Sequence, residues 1–172
     1  MKKNLMDASS FLNHLTRIGS ALSSNGGPLA VHGEVASVFQ EQIGYLLYTV
    51  SMVEPVHGQT TTRVWSSDTT AYPIGETKMM ESGKWAAEVA QRQPVVCNQP
   101  GDIQGMFPSD FELLTRLGCG SGVNLPVFLC GALIGSINVF NKTGWFTPQR
   151  VAHCQSLATL VYAPLLLCKE RK

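Results

Sequence analysis

The residues best suited to chemistry or ligand contact lie in one stretch, residues 117–141, LGCGSGVNLPVFLCGALIGSINVFN. Cys119 stands between two glycines in this stretch, and Ser121 follows. Glycine allows a backbone to approach a ligand closely, and an accessible thiol becomes a nucleophile where a cation or helix N-terminus lowers its pKa. The pattern predicts a loop that forms one wall of a pocket. Cys119 is then either a reactive thiol or a small residue packed between glycines.

The second part of this stretch predicts a β-hairpin that supports the loop. Apolar runs on both sides of Cys130-Gly131 indicate strands over about 123–129 and about 132–140, joined by a tight turn. Pro126 cannot donate a hydrogen bond within the first strand. The second strand is apolar enough to be central in a sheet.

The remaining elements follow from hydrophobic periodicity and from the residues that start and stop helices. Residues between the second strand and the hairpin, about 69–116, form a plausible cap over the sheet. The predicted order is helix 5–24, helix 29–43, strand 45–53, strand 59–68, turn 72–75, helix 77–92, edge strand 93–98, helix 108–116, the hairpin, and helix 147–169.

Composition excludes several classes of protein. A chain of 172 residues is long enough for one good core, and its net charge of +1 gives no field that would recruit nucleic acid or an anionic membrane. The odd number of cysteines, 5, and the absence of CxxC or Cys/His spacing indicate reduced thiols in a cytoplasmic protein and no metal site. The N-terminus lacks the apolar run of a signal peptide, and no run of about 18 apolar residues predicts a membrane span.

The terminal helices carry more apolar surface than one domain needs. The first places Leu5, Ala8, Leu12, Leu15, Gly19 and Leu22 on one stripe, and the last has a second apolar face with Leu157, Leu160 and Leu167. Such leucines need cover, either from the N-terminal helix of the same chain or from the same helix of a partner chain, and we expect a homodimer through the terminal helices.

The order of elements, together with several short strings, resembles a GAF domain. The strings are Arg63-Val-Trp-Ser-Ser, Tyr72-Pro-Ile-Gly, Trp85, Gln93-Pro-Val-Val, Leu117-Gly-Cys-Gly-Ser, Asn124-Leu-Pro-Val, Gly131 with Ile134-Gly-Ser-Ile-Asn138, and Phe146-Thr147. The resemblance implies an α+β, GAF/PAS-like fold: a central antiparallel sheet of five to six strands, helices on one face, and a ligand pocket under a cap on the other. It also implies a single domain over 1–172, with an N-terminal helix (1–28), a core (29–146) and a C-terminal helix (147–172).

The resemblance further implies which residues bound the pocket. Arg63 can hold a carboxylate or phosphate, while Tyr72 and Trp85 can supply flat walls with a polar handle. Polar groups at specific positions would come from Cys119, Ser121, Asn124 and Asn138. The alternatives are that Arg63 is solvated, that Tyr72 and Trp85 belong to the core, and that the partners of Asn138 are backbone groups.

The function implied is a sensory or regulatory domain that binds a small, partly polar ligand. It requires no fixed cofactor, the ligand being a non-covalently bound small metabolite, and with no output domain within these residues it would signal to a downstream protein partner. The alternative is a thiol-dependent reductase of the free methionine-R-sulfoxide type, with Cys119 as nucleophile and Cys97 as resolving thiol. The non-enzymatic reading is preferred, because the loop pattern of that enzyme branch has no match around Cys119.

Overall fold

The computed structural model describes residues 8–54, 60–80 and 84–170, apart from a few side chains at the ends of these ranges. They form seven α-helices and six strands: α1 Ala8–Ser23, α2 Gly27–Gln42, β1 Leu47–Val53, β2 Thr60–Ser66, β3 Thr77–Met79, α3 Lys84–Ala90, β4 Val95–Cys97, α4 Pro100–Met106, α5 Phe111–Arg116, β5 Ser121–Leu129, β6 Ala132–Asn141, α6 Pro148–Ala158 and α7 Tyr162–Glu170. A 3-10 turn, Thr159–Val161, joins α6 to α7. The class is α+β, as the sequence predicts.

The strands form one antiparallel sheet in the order β3-β2-β1-β6-β5-β4. The predicted hairpin is β5 and β6, with Cys130 (φ 49°) and Gly131 (φ 87°) at its turn. Two successive positive φ angles suit a turn whose twist matches that of the flanking strands. The prediction that the second hairpin strand is central is confirmed, because β6 pairs with both β1 and β5.

One face of the sheet packs on helices. Tyr48 and Val50 of β1 and Ile137 of β6 are fully buried there, in the same cluster as Phe39 of α2 and Leu165 of α7. These side chains alternate with those on the opposite face because successive strand residues point to opposite sides. This cluster is the main hydrophobic core.

The opposite face lies under the cap, which we define as the loop 67–76 and helices α3, α4 and α5, with the turn 107–110 between the last two. A second buried cluster forms here. It includes Leu47 and Phe140, a cross-strand pair, together with Tyr72, Ile103 and Leu114 from the cap. The sheet is therefore covered on both sides, and only part of the space beneath the cap is filled.

The structure corrects the predicted elements of the cap. Thr77–Met79 is an edge strand, whereas the sequence analysis assigned it to a helix. It pairs with β2, for example Lys78 opposite Thr61, so tertiary pairing overrides local helix propensity. Val89 of α3 is buried, as predicted.

The next two cap helices were also assigned incorrectly. Helix α4 was missed, although Pro100 stands in its first turn, and Asp102 accepts hydrogen bonds from the Asn98 and Gln99 backbone N–H groups. Helix α5 begins at Phe111, and Pro108 lies in the turn before it.

The C-terminal helix has the predicted extent but is not continuous. Thr147 caps it by accepting from the Arg150 N–H, as predicted. Pro164 lies inside the run, where it removes a backbone donor and clashes with the preceding turn; the 3-10 turn stands just before it. By length and composition alone, the run Pro148–Lys169 could cross a membrane, a test that a core helix can also pass, and Val161 and Leu165 are buried in the core.

Candidate functional site: a cavity between the sheet and the cap

A cavity with a volume of about 110 Å³ remains between the sheet and the cap, and it opens to solvent. Its floor comes from four strands: Thr49, Ser51, Thr61, Arg63, Asn124, Ser136, Asn138 and Phe140. Its walls and roof come from β3, the residue after it, and the cap: Tyr72, Lys78, Met79, Met80, Met106, Phe107, Ser109 and Asp110.

A polar ladder crosses three strands of the floor. Thr49 of β1 lies opposite Asn138 of β6, which lies opposite Asn124 of β5. The Asn138 Nδ2 group donates to the Thr49 hydroxyl (3.3 Å), and the Asn124 Nδ2 group donates to Asn138 Oδ1 (2.8 Å). Asn138 thus has side-chain partners, which neither alternative in the sequence analysis anticipated.

Arg63 is buried beside the cavity, with 7% of its surface exposed, so it is not a solvated strand residue. Its Nη1 group donates to the Pro73 carbonyl (3.0 Å) and forms an ion pair with Glu76. Its guanidinium carbon lies 4.8 Å from the centre of the Tyr72 ring, within range of a cation–π contact. These contacts fix the guanidinium group against the cap.

A second ion pair joins the sheet edge to the cap. Lys78 Nζ of β3 lies 2.5 Å from Asp110 Oδ1, just before α5. Both residues line the cavity, and both side chains are partly exposed. This contact ties the sheet edge to the cap where the cavity meets solvent.

Three residues of the cavity carry a buried polar atom that has no hydrogen-bond partner among the described residues: Arg63 Nε, Tyr72 Oη and Asn124 Oδ1. They supply a donor, a group that can donate or accept, and an acceptor. Burial, followed by the nearby Asp110 carboxylate, raises the pKa of Tyr72, so the phenol stays protonated. Each unsatisfied buried group costs on the order of 1–3 kcal/mol.

Two predicted site residues lie away from the cavity. The Ser121 hydroxyl is fully buried and donates to the Lys142 carbonyl at 2.6 Å. Cys119 is buried in the cluster beneath the cap, and burial raises the pKa of its thiol to about 11. Cys97 belongs to the same buried cluster. A buried thiol with a raised pKa has little nucleophilic character at neutral pH.

Gly120 and Gly122, which follow Cys119, serve packing. A Cβ atom on Gly122 would lie 2.5 Å from the Phe140 ring, and one on Gly120 would lie 2.9 Å from the Thr143 backbone nitrogen. The close approach that glycine permits is therefore to neighbouring protein groups. The side chain of Trp85 falls outside the described part of the chain, so its place in the pocket stays a prediction.

Sequence reasoning missed Thr49, Ser51 and Ser136, which line the floor. A signal was present. In LYTVSMV and ALIGSINVFN, these residues and Asn138 occupy alternate positions within otherwise apolar strands. Polar side chains at period 2 in a buried strand share one face, and that face must meet polar groups or a ligand.

Comparison with known proteins gives the family. The GAF domain family model matches residues 30–162, and a comparison with curated proteins finds no match. Among solved structures, the chain resembles the GAF domain of a phosphoenolpyruvate-protein phosphotransferase from Coxiella burnetii (13% identity, 96% of each chain covered, TM-score 0.65). It also resembles the GAF domain of a two-component sensor histidine kinase from Bacillus halodurans (13% identity, 81% of this chain and 94% of that chain, TM-score 0.65). A third similar structure is free methionine-R-sulfoxide reductase from Neisseria meningitidis in complex with its substrate (12% identity, 99% and 96% covered, TM-score 0.61). At these identities the likenesses show the fold alone, but the family match spans most of the chain: it belongs to the GAF domain family.

Proposed function

We propose that this GAF domain is a sensory or regulatory domain that binds a small molecule non-covalently in the cavity beneath the cap. The observation that carries the proposal is that three residues of the cavity lining, Arg63, Tyr72 and Asn124, each hold a buried polar atom without a hydrogen-bond partner among the described residues. A ligand that pairs with them would recover hydrogen bonds that the protein alone leaves unmade.

The same atoms support a conformational response. They have almost no accessible surface in this structure, so a ligand reaches them only after the groups around them rearrange. The cap is tied across the cavity by the Lys78–Asp110 ion pair, which is partly exposed and weak enough to rearrange. Occupancy of the cavity would then be reported to a partner protein as a change in the cap or in the predicted dimer.

The reductase alternative is not favoured. Cys119 and Cys97 are buried, Cys119 lies outside the cavity lining, and the likeness to the reductase is one of fold. The proposal places the domain in the cytoplasm, a location supported by five cysteines that are all free of disulfide bonds.

Native mass spectrometry of freshly purified protein, compared with the denatured chain, tests the proposal. We expect extra non-covalent mass that is lost on denaturation. Ser136→Leu, which fills the cavity floor, should abolish this mass, whereas Ser156→Leu, the same change at an exposed site on α6, should retain it.

If the wild-type protein carries no extra mass, a thermal-shift screen of a metabolite library follows. Stabilisation of the wild type and of Ser156→Leu, but not of Ser136→Leu, would support the proposal. A ligand-free protein without any hit, or one whose ligand survives Ser136→Leu unchanged, would contradict it.

A further inference from the structure

The charged side chains around the cavity are already neutralised in pairs. Arg63 faces Glu76, and Lys78 faces Asp110, so two positive groups are matched by two negative ones. The remaining polar side chains of the floor are uncharged hydroxyls and amides, among them Thr49, Ser136 and Asn138. The lining itself holds Arg63, Lys78 and Asp110, and Glu76, which pairs with Arg63 from outside the lining, balances the remaining positive charge.

This balance sets a cost for a charged ligand of either sign. An anion would compete with Glu76 for the Arg63 guanidinium, whose Nη1 group already serves Glu76 and the Pro73 carbonyl. It would also meet the Asp110 carboxylate. A cation would face Arg63 and Lys78 in the same way. Bringing an unpaired charge into such a site costs several kcal/mol, on the order of what a small ligand gains in total.

The unsatisfied atoms call for uncharged polar groups on the ligand. Asn124 Oδ1 is an acceptor that requires an N–H or O–H group, and Arg63 Nε is a donor that requires an oxygen or nitrogen acceptor. The Tyr72 hydroxyl can serve either partner. Arg63 lies on β2 and Asn124 on β5, three strands apart in the sheet, so one ligand group cannot pair with both atoms. A primary amide or a lactam carries both a donor and an acceptor without a charge, so it can pair with either atom.

The cavity is also lined by apolar side chains. Phe140 of the floor and Phe107 of the roof meet edge to face, with ring centres 5.8 Å apart, and Met106 lies beside them. Aromatic rings and thioethers favour contact with a flat apolar body.

From these contacts we infer that the cavity selects an uncharged, ring-bearing molecule with an amide or lactam edge, and discriminates against its carboxylate and amidinium counterparts. The inference rests on the proposed function and narrows its ligand class. It replaces the expectation that Arg63 recruits an anion, since Glu76 already occupies that role.

Matched sets of probes test it: benzamide, benzoate and benzamidinium, and the same three groups on naphthalene. Binding is measured by titration of ¹⁵N-labelled protein, with the side-chain amide resonances of Asn124 and Asn138 as local reporters. We expect the amides to shift these resonances and to bind at least about tenfold more tightly than either charged counterpart.

The variant Glu76→Gln tests whether the ion pair at Arg63 causes the preference for uncharged ligands. It removes the carboxylate that neutralises Arg63, so the affinity for benzoate and naphthoate should rise by about tenfold or more. Glu112→Gln removes the same charge from the exposed face of α5, away from the cavity lining, and should leave the preference unchanged.

The outcomes separate the two proposals. If a carboxylate or an amidinium binds at these resonances as tightly as the amide, or if Glu76→Gln leaves the preference unchanged, the inferred ligand class is wrong while small-molecule binding stands. If none of the probes perturbs Asn124 or Asn138, the inference fails, and the mass measurement above decides separately whether the cavity binds anything else.

Discussion

The polar ladder of Thr49, Asn138 and Asn124 shows how the cavity stays open at the scale of single residues. Apolar side chains at these positions would allow the cap to close on the sheet as it does around Leu47 and Phe140. Hydrogen bonds between the ladder residues instead satisfy most of their polar atoms without filling the space above them. The one ladder atom left over, Asn124 Oδ1, lies at the end of the ladder, where a ligand can supply the missing hydrogen-bond donor.

The cysteines give a prediction at the same scale. Burial raises the pKa of the Cys119 thiol to about 11 and that of Cys154 to about 12, whereas Cys130 is exposed at the hairpin turn. At pH 8, about one part in 10³ of the Cys119 thiol is ionised, which makes it a poor nucleophile. We expect iodoacetamide to label Cys130 first, with Cys119 and Cys154 reacting only on unfolding, as followed by peptide mass spectrometry.

Two further samples make the labelling decisive. Cys130→Ser should remove the fast phase, and Cys119→Ser should leave it intact. Native Cys119 reacting as fast as Cys130 would contradict the buried assignment and bring the reductase alternative back.

At the scale of elements, the sequence predicts the pieces whose local signals and tertiary environments agree. The hairpin was predictable because Cys130-Gly131 separates two apolar runs, and β6 proved central. Thr77–Met79 was not, because only its pairing with β2 makes three exposed or half-exposed residues a strand. The same holds for the candidate site. Arg63, Tyr72, Asn124 and Asn138 line the cavity, as the sequence analysis predicted. Ser121 instead donates to the Lys142 carbonyl, a tertiary contact that no local sequence pattern predicts.

Helix α2 gives a prediction about acid stability. His32 is fully buried, and burial lowers its pKa from 6.5 to about 4. The unfolded chain therefore binds more protons than the folded one between those two values, so stability falls as the pH drops through this window, by up to about 3 kcal/mol from this group. The free energy of unfolding, measured with urea at steps from pH 7 to pH 4, should show the decline.

Carboxylates also titrate in this pH range, so the contribution of His32 is isolated by comparing the slope of the unfolding free energy against pH between variants. His32→Leu should flatten the decline even if its stability at pH 7 differs from that of the wild type. His153→Leu, at a partly exposed position on α6, should keep the wild-type slope. Equal slopes for His32→Leu and the wild type would show that His32 is not the group responsible.

At the scale of the whole molecule, one sheet connects two environments. β1 and β6 present Tyr48 and Ile137 to the helical core and Thr49 and Asn138 to the cavity, so each strand contacts both layers. A ligand that shifts these strands would act on α2 and on the terminal helices without touching them. Interiors are closely packed, so such shifts are passed on as movements of whole elements.

The apolar side chains exposed on the outer face of the helical layer predict a homodimer. Helix α1 exposes Phe11, Leu12, Leu15 and Leu22, with 61% of Leu12 exposed, and Leu29 and Leu166 are exposed on α2 and α7. Leu160 and Leu167, which the sequence analysis placed at the interface, are only partly exposed, so the α1 leucines are the better targets. Sedimentation equilibrium should give a dimer for the wild type and a folded monomer for Leu12→Glu/Leu15→Glu, because each glutamate would bury an unpaired charge at the interface. Ile74→Glu, at an apolar position in the cap about as exposed as Leu15, should remain dimeric, and a double variant that does so too would exclude α1 from the interface.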